Sequence, residues 1–236
     1  MNPSAPPPFD VFQRGLKRGA ERLAYDPEKR YFYVESVKEG WRVYLRAGCF
    51  IHEKPTATRG WASGDSREIH NEKPLQGQCI DPTRFIVVKR AGKPATGREW
   101  EPPKGQMEGK DGLRDPNESI MHILRENVKR EVGEESRIKH LQGLEHTGLV
   151  FQGQEPDYPP NHYFQYHIFR ALVTTKEWIH ASEELQWYRE HPAAFARLKR
   201  DKKEKDAIAW YNPSETQLMG KWSPKLVALY LAKYAK

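Results

Sequence analysis

Apolar and aromatic residues gather in short runs separated by charged, turn-rich stretches, the pattern of strands and helices in alternation. Tyr31-Phe-Tyr-Val-Glu-Ser-Val37 and Trp41-Arg-Val-Tyr-Leu-Arg46 flank Lys38-Glu39-Gly40 and predict a hairpin. Arg84–Arg90, with Phe-Ile-Val-Val at its centre, reads as a buried strand. Leu144–Gln152 and Asn161–Thr174 follow as strands, the second rich in the aromatic and β-branched residues that strands favour. Ala207–Tyr211 is a further short strand. Ile120, Ile123, Leu124, Val128 and Val132 supply the packing face of a helix over 117–136, entered through Asp115-Pro116-Asn117 with Asn117 as its cap. A second helix is expected over Lys225–Tyr234, and a short basic amphipathic one over Val11–Leu23.

The remaining stretches read as connections. Residues 1–9 are Pro-rich and expected to be disordered. His52–Gln78 is a polar linker or long surface loop, Ala91–Gly97 a loop, and Glu108–Pro116, with two glycines and several charges, a lengthened one. No internal repeat is present. Strands embracing one charged helix suit a mixed α/β (α+β) sandwich. The pattern divides into an N-terminal extension or accessory region over 1–77 and a main domain over 78–236.

Charge narrows the partners. The 236 residues carry a formal net charge of +7, which favours polyanions such as nucleotides, nucleic acid or inositol phosphates; mild basicity without function is the plain alternative. Two cysteines, Cys49 and Cys79, are too few for a disulfide framework or a Cys-rich zinc site. The start of the chain lacks a basic stretch followed by an apolar one, and no run approaches the roughly 20 apolar residues of a membrane span. A soluble, intracellular (cytoplasmic) protein is expected.

Arg130-Glu-Val-Gly-Glu-Glu-Ser-Arg-Ile138 changes the picture most. On a helix Glu131, Glu134 and Glu135, at i, i+3 and i+4, share a face, where like charges cost tenths of a kcal/mol per pair. A cation among those oxygens removes the cost, and carboxylates with no His or Cys nearby suit a hard ion such as magnesium. A solvated face laced with salt bridges is the commoner reading of such charges taken alone. Upstream, Trp100-Glu-Pro-Pro-Lys-Gly105 is a stiff loop ending in a glycine that lets backbone approach a ligand.

Together these segments resemble the Nudix box: a glycine, five residues, Glu, seven residues, then Arg-Glu-apolar-x-Glu-Glu-x-Gly-apolar. Pro103-Lys104-Gly105 matches its opening and Arg130–Ile138 its end. Two departures stand out. Arg137 occupies the last glycine, and His122 occupies the first Glu counted back from Arg130. If four extra residues add one helical turn, Glu118 returns to within about 40° of the usual face and takes that place.

The resemblance implies a Nudix-type α/β/α sandwich with a mixed sheet, and a Mg2+-dependent hydrolase (Mn2+ substituting) that cleaves a pyrophosphate bond in a nucleoside or inositol diphosphate linked to another moiety. It implies that Glu134 and Glu135 ligate the metal, helped by Glu131 and the Gly105 carbonyl. Glu131 takes a proton from the attacking water, and Arg130 orients a carboxylate. Lys104, Trp100 and Glu118 are candidates on the substrate side. A fourth acid is sought among Glu183, Glu184, Glu204 and Asp206.

Two other functions remain open: a decapping enzyme that takes capped RNA and releases 7-methyl-GDP, and a non-catalytic Nudix-fold RNA-binding module. The basic run Arg197–Lys205 could meet phosphates or be merely solvated. Tyr31, Tyr33, Trp41, Arg42, Tyr44, Arg46 and Trp61 could form a stacking surface or a small core. His162 and His167, on opposite faces of their strand, read as structural.

Overall fold

The computed structural model describes residues 6–55, 80–92, 98–113 and 116–235. In chain order the strands are β1 (Lys17–Leu23), β2 (Asp26–Ser36), β3 (Trp41–Glu53), β4 (Ile86–Arg90), β5 (Trp100–Glu101), β6 (Lys104–Gln106), β7 (Gln142–Gly153), β8 (His162–Val173) and β9 (Lys205–Trp210). The helices are α1 (Gly109–Leu113), α2 (Ile120–Ser136), α3 (Thr175–Glu190), α4 (Pro192–Ala196) and α5 (Ser223–Tyr234), with a 3-10 turn at Arg200–Lys203.

The main sheet runs β1-β2-β3-β8-β7, with β6 added against β3; β5-β4-β9 form a second, smaller sheet. β3 and β8 pair in parallel from Arg42↔His162 to Glu53↔Val173, whereas β1-β2, β2-β3 and β7-β8 are antiparallel, so the sheet is mixed. Strand alternation divides the side chains. Val43, Leu45, Ala47, Cys49 and Ile51 of β3 pack with Phe169, Ala171 and Val173 of β8 against the apolar face of α2. Tyr44 and Phe50, with Phe164, Tyr166 and Ile168, turn the other way to meet Leu226, Val227 and Tyr230 of α5. The result is an α+β sandwich with helices on both faces of a mixed sheet.

Several expected elements take other forms. The helix expected over Val11–Leu23 is strand β1. Gly19 at its centre disfavours a helix, and a Cβ there would stand 2.7 Å from the Tyr33 hydroxyl, so the glycine makes room for that ring. β3 extends to Glu53, because the residues beyond Arg46 are buried between β8 and β6. Residues 6–9, expected to be disordered, are held: the Phe9 ring stacks on Trp41 at 4.8 Å, and its amide donates to Gln152 Oε1 at 3.0 Å. The 108–116 loop contains α1, whose Gly109 and Gly112 lie close under Ala20 and Phe32. β1 to β3 belong to the same sheet as β7 and β8, so pairing runs across the division placed at residue 77. That residue, Trp61, Cys79 and most of the 52–78 loop lie outside the described residues. Among the described residues no helix is long and apolar enough to cross a membrane.

α2 begins at Ile120, later than expected, and its cap is Ser119 in place of Asn117: the Ser119 hydroxyl accepts from the His122 amide at 3.1 Å. Ser119→Ala is expected to cost about 1 kcal/mol and to lower the melting temperature by about 2–4 °C in a calorimetric comparison.

His162 and His167 lie on opposite faces of β8. His167 is buried, 3.3 Å from His146, and burial followed by that neighbour pushes its pKa down to about 3. An unfolded His titrates near 6.5, so the folded state resists a proton that the unfolded state accepts. This contribution is complete above pH ~6.5 and is lost as pH falls from there toward 3, about 2 kcal/mol by pH 5. Urea midpoints across pH 5–7 should fall accordingly, and His167→Gln should flatten the dependence.

Candidate active site

β6 lies antiparallel to β3, with Gly105 opposite Ala47, and α2 crosses above it. The Glu131 side chain descends from α2 directly onto Gly105. A Cβ at 105 would overlap the carboxyl carbon and both oxygens, so only glycine permits this approach. The preceding prolines stiffen the segment, and the Pro103 carbonyl accepts from the Cys49 amide at 2.9 Å.

Arg130 clamps three carboxylates. Nη1 meets Glu134 at 2.8 Å, and Nη2 meets Glu131 at 2.8 Å and Asp111 at 3.1 Å. Asp111, on α1, also accepts from the Glu108 amide at 2.8 Å. Counted forward from Gly105, Asp111 follows five residues, which is the spacing of the first acidic position in the pattern above. The added residues therefore come after it, between α1 and the end of α2. Glu118 does not take that place. It precedes the helix, is half-buried, stands 4.0 Å from exposed His122, and its carbonyl accepts from Arg18 at 2.7 Å.

Glu135, one position on, points beneath this cluster and is 4% exposed. One oxygen accepts from the Lys104 amide at 2.9 Å and the other meets the Lys205 ammonium at 2.9 Å. Lys205 also pairs with Glu101, whose other oxygen meets Lys104 Nζ at 2.8 Å. Burial opposes the Glu101 charge, but Lys104 and Lys205 outweigh it and hold the pKa down to about 2. Burial likewise opposes the Lys205 charge, and Glu135 and Glu101 reverse it, raising its pKa. Burial raises the Glu135 carboxyl, with Lys205 opposing.

An open pocket of about 520 Å³ lies over Gly105, and Glu131, Glu108 and Glu204 contribute acidic groups to its wall. Burial pushes the Glu131 carboxyl up to about 8; Arg130 opposes, while Glu135, Glu134 and Glu204 add to the rise. Of the four candidates for a further acid, Glu204 is the one in this wall. Glu184 pairs with Arg137 at 3.6 Å, Asp206 with Lys89 at 3.7 Å, and Glu183 is exposed on α3. Cations line the pocket already paired: Lys29 with Glu108 at 3.2 Å and Arg46 with Glu155 at 3.0 Å. Lys104 reaches the wall, whereas Trp100 packs in the core beside α5.

The basic run splits. Arg200, Lys202 and Lys203 stay on the 3-10 turn while Lys205 turns inward. Tyr33, Trp41 and Tyr44 are buried and Arg42 is paired with Glu35, so that group forms core, leaving Tyr31 and Arg46 at the pocket. Arg137 ends α2 with φ 67°, a left-handed residue where the pattern has glycine. Its guanidinium donates to the Glu134 carbonyl at 2.6 Å and to the Lys202 carbonyl, which offsets the steric cost.

The donor set fits a hard divalent ion: crowded carboxylate oxygens with no soft ligand, and a Glu131 whose carboxyl burial raises even with Arg130 beside it. No three His, Cys, Asp or Glu side chains among the described residues already converge as a metal cage. Arg130 lies between Glu131 and Glu134, so ion binding requires it to give way.

No family model and no curated protein matches the chain. Among solved structures it is similar to a NUDIX hydrolase from Nitrosomonas europaea, with 12% identity over 80% of this chain and 88% of that one and a TM-score of 0.40. It is similar also to the NUDIX domain of Shewanella oneidensis NrtR complexed with ADP ribose (9% identity, 84% and 93% covered, TM-score 0.42). A C. elegans Ap4A hydrolase matches at 15% identity over 80% and 96%, with a TM-score of 0.36.

Proposed function

We propose that the chain is a divalent-metal-dependent hydrolase of Nudix type that cleaves a pyrophosphate bond in a phosphorylated small molecule. The observation that carries this reading is the seating of Glu131 on Gly105, with Arg130 tying it to Asp111 and Glu134 in the order of the box. Such a constellation has little role on a solvated helix face, because it crowds carboxylates at the mouth of a pocket.

Glu131 and Glu204, the latter exposed at the rim, would hold a magnesium ion together with Glu134 once Arg130 releases it. The ion would supply charge neutralisation of the diphosphate oxygens and acidify a bound water. Glu131, held in place by Arg130 and seated on Gly105, accepts the proton of the attacking water. Arg130 orients that carboxylate. Arg46 and Lys29 hold the walls through their own carboxylates, so the phosphates depend on the metal more than on these cations.

The test is incubation of the purified chain with Mg2+ and a panel of ADP-ribose, diadenosine polyphosphates, nucleoside triphosphates, diphosphoinositol polyphosphates and capped RNA, products being resolved by mass. Cleavage of at least one anhydride is expected; EDTA should abolish it, and Mg2+ or Mn2+ should restore it. Release of 7-methyl-GDP would identify RNA as the substrate. Turnover of none, or turnover indifferent to EDTA, contradicts the proposal.

A further inference from the structure

Glu131, Glu134 and Glu135 share a helix face in sequence, yet they do not share an environment. Glu131 looks into the pocket, while Glu135 looks into protein: both its oxygens are taken, by the Lys205 ammonium and by the Lys104 amide, each at 2.9 Å. The Lys205 and Glu135 side chains are each 4% exposed. Glu101, also buried, completes the arrangement by accepting from Lys205, from Lys104 at 2.8 Å and from the Ser223 hydroxyl at 3.3 Å. These contacts join α2 to β5, β6 and β9, and β6 carries Gly105 into the pocket wall.

We propose that the Lys205 ammonium is a built-in cation for Glu135, so that this carboxylate positions α2 over Gly105 and is not a ligand of the divalent ion. The inference rests on the metal-dependent reading above and deepens it, because it divides the three glutamates into two kinds. A divalent ion reaching Glu135 would have to displace a buried lysine from both Glu135 and Glu101, and breaking a buried pair leaves an uncompensated charge. Glu131 and Glu204 line the pocket, and the cation on Glu131 is Arg130, which is less buried than Lys205. Lys205 is thus a positioning residue. It acts through Glu135 and through the backbone amide that Glu135 receives.

Mn2+ binding to the full chain, followed by the electron paramagnetic resonance of free Mn2+ without any substrate, tests this apart from turnover. Glu131→Gln should weaken Mn2+ by roughly tenfold or more, as loss of a ligand or its close support does. Glu135→Gln keeps the side chain's shape and can still accept from the Lys104 amide, so α2 stays in place and the Mn2+ affinity should stay within about threefold, while the lost charge lowers the melting temperature. Lys205→Gln should expose Glu135 and either tighten Mn2+ or admit a second ion. If the single variants fail to fold, the double variant Glu135→Gln with Lys205→Met removes both charges together and should bind Mn2+ as the wild type does. Loss of Mn2+ binding in Glu135→Gln or in the double variant, equal to that in Glu131→Gln, overturns the inference and leaves the hydrolase reading standing. A wild-type chain that binds no Mn2+ overturns both.

Discussion

Glu131→Gln lowers turnover by about 10²–10⁴-fold, the range of a lost general base, and at the same time raises stability. The amide keeps the shape that rests on Gly105 and can still accept from Arg130, so substrate binding changes less than kcat. The stability gain follows from the sign of the pKa shift. The folded carboxyl titrates near 8 against an ordinary 4.5, so the folded state holds the proton more tightly than the unfolded state. Its contribution is complete below pH ~4.5 and is lost as pH rises through 8, which at pH 7 corresponds to a deficit on the order of 1–3 kcal/mol. An uncharged amide removes that deficit. Higher melting temperature with lost activity is the trade-off expected of a strained catalytic group. A destabilised variant, or an active one, would place Glu131 among structural side chains.

Gly105→Ala is expected to cost about 10²-fold in kcat while changing stability by less than about 1 kcal/mol. The new methyl would overlap the Glu131 carboxyl group, which is the far end of a flexible side chain, so the chain relieves the clash by moving that group and not the backbone. The fold survives and the catalytic carboxylate is displaced by an ångström or more. Steady-state kinetics beside a denaturant melt separates the outcomes. Loss of stability with unchanged kcat would mean that Glu131 does no chemistry.

The strands of the main sheet and the face of α2 were legible because apolar alternation and helical spacing are local signals: Ile120, Ile123, Leu124, Val128 and Val132 are all buried. β1 was misread since its residues, KRGAERL, are helix-forming apart from Gly19, and pairing with β2 overrides that preference. α3 gave no signal at all: only Ala181 and Leu185 are buried along its length. At the site, the helical spacing brings Glu131 forward, and the resemblance to the Nudix box brings in Arg130 and Gly105. Asp111 was hidden by counting back from Arg130 across the inserted residues, whereas counting forward from Gly105 would have found it. Lys205 could not be found by any local rule, because its role depends on β9 delivering one lysine of a charged run beneath α2, a contact set by tertiary pairing. The same holds for Glu135, whose spacing places it with Glu131 and whose burial separates them.

Glu131 is expected to direct water onto phosphorus. Hydrolysis in 18O-labelled water of whichever diphosphate the panel identifies, with wild type and Glu131→Gln compared by mass spectrometry of both products, tests it most directly. One 18O atom is expected in a phosphate group of one product, at a rate that falls by about 10²-fold or more in the variant. Label on a carbon-bound hydroxyl, or labelling of phosphate that proceeds equally in Glu131→Gln, would contradict it.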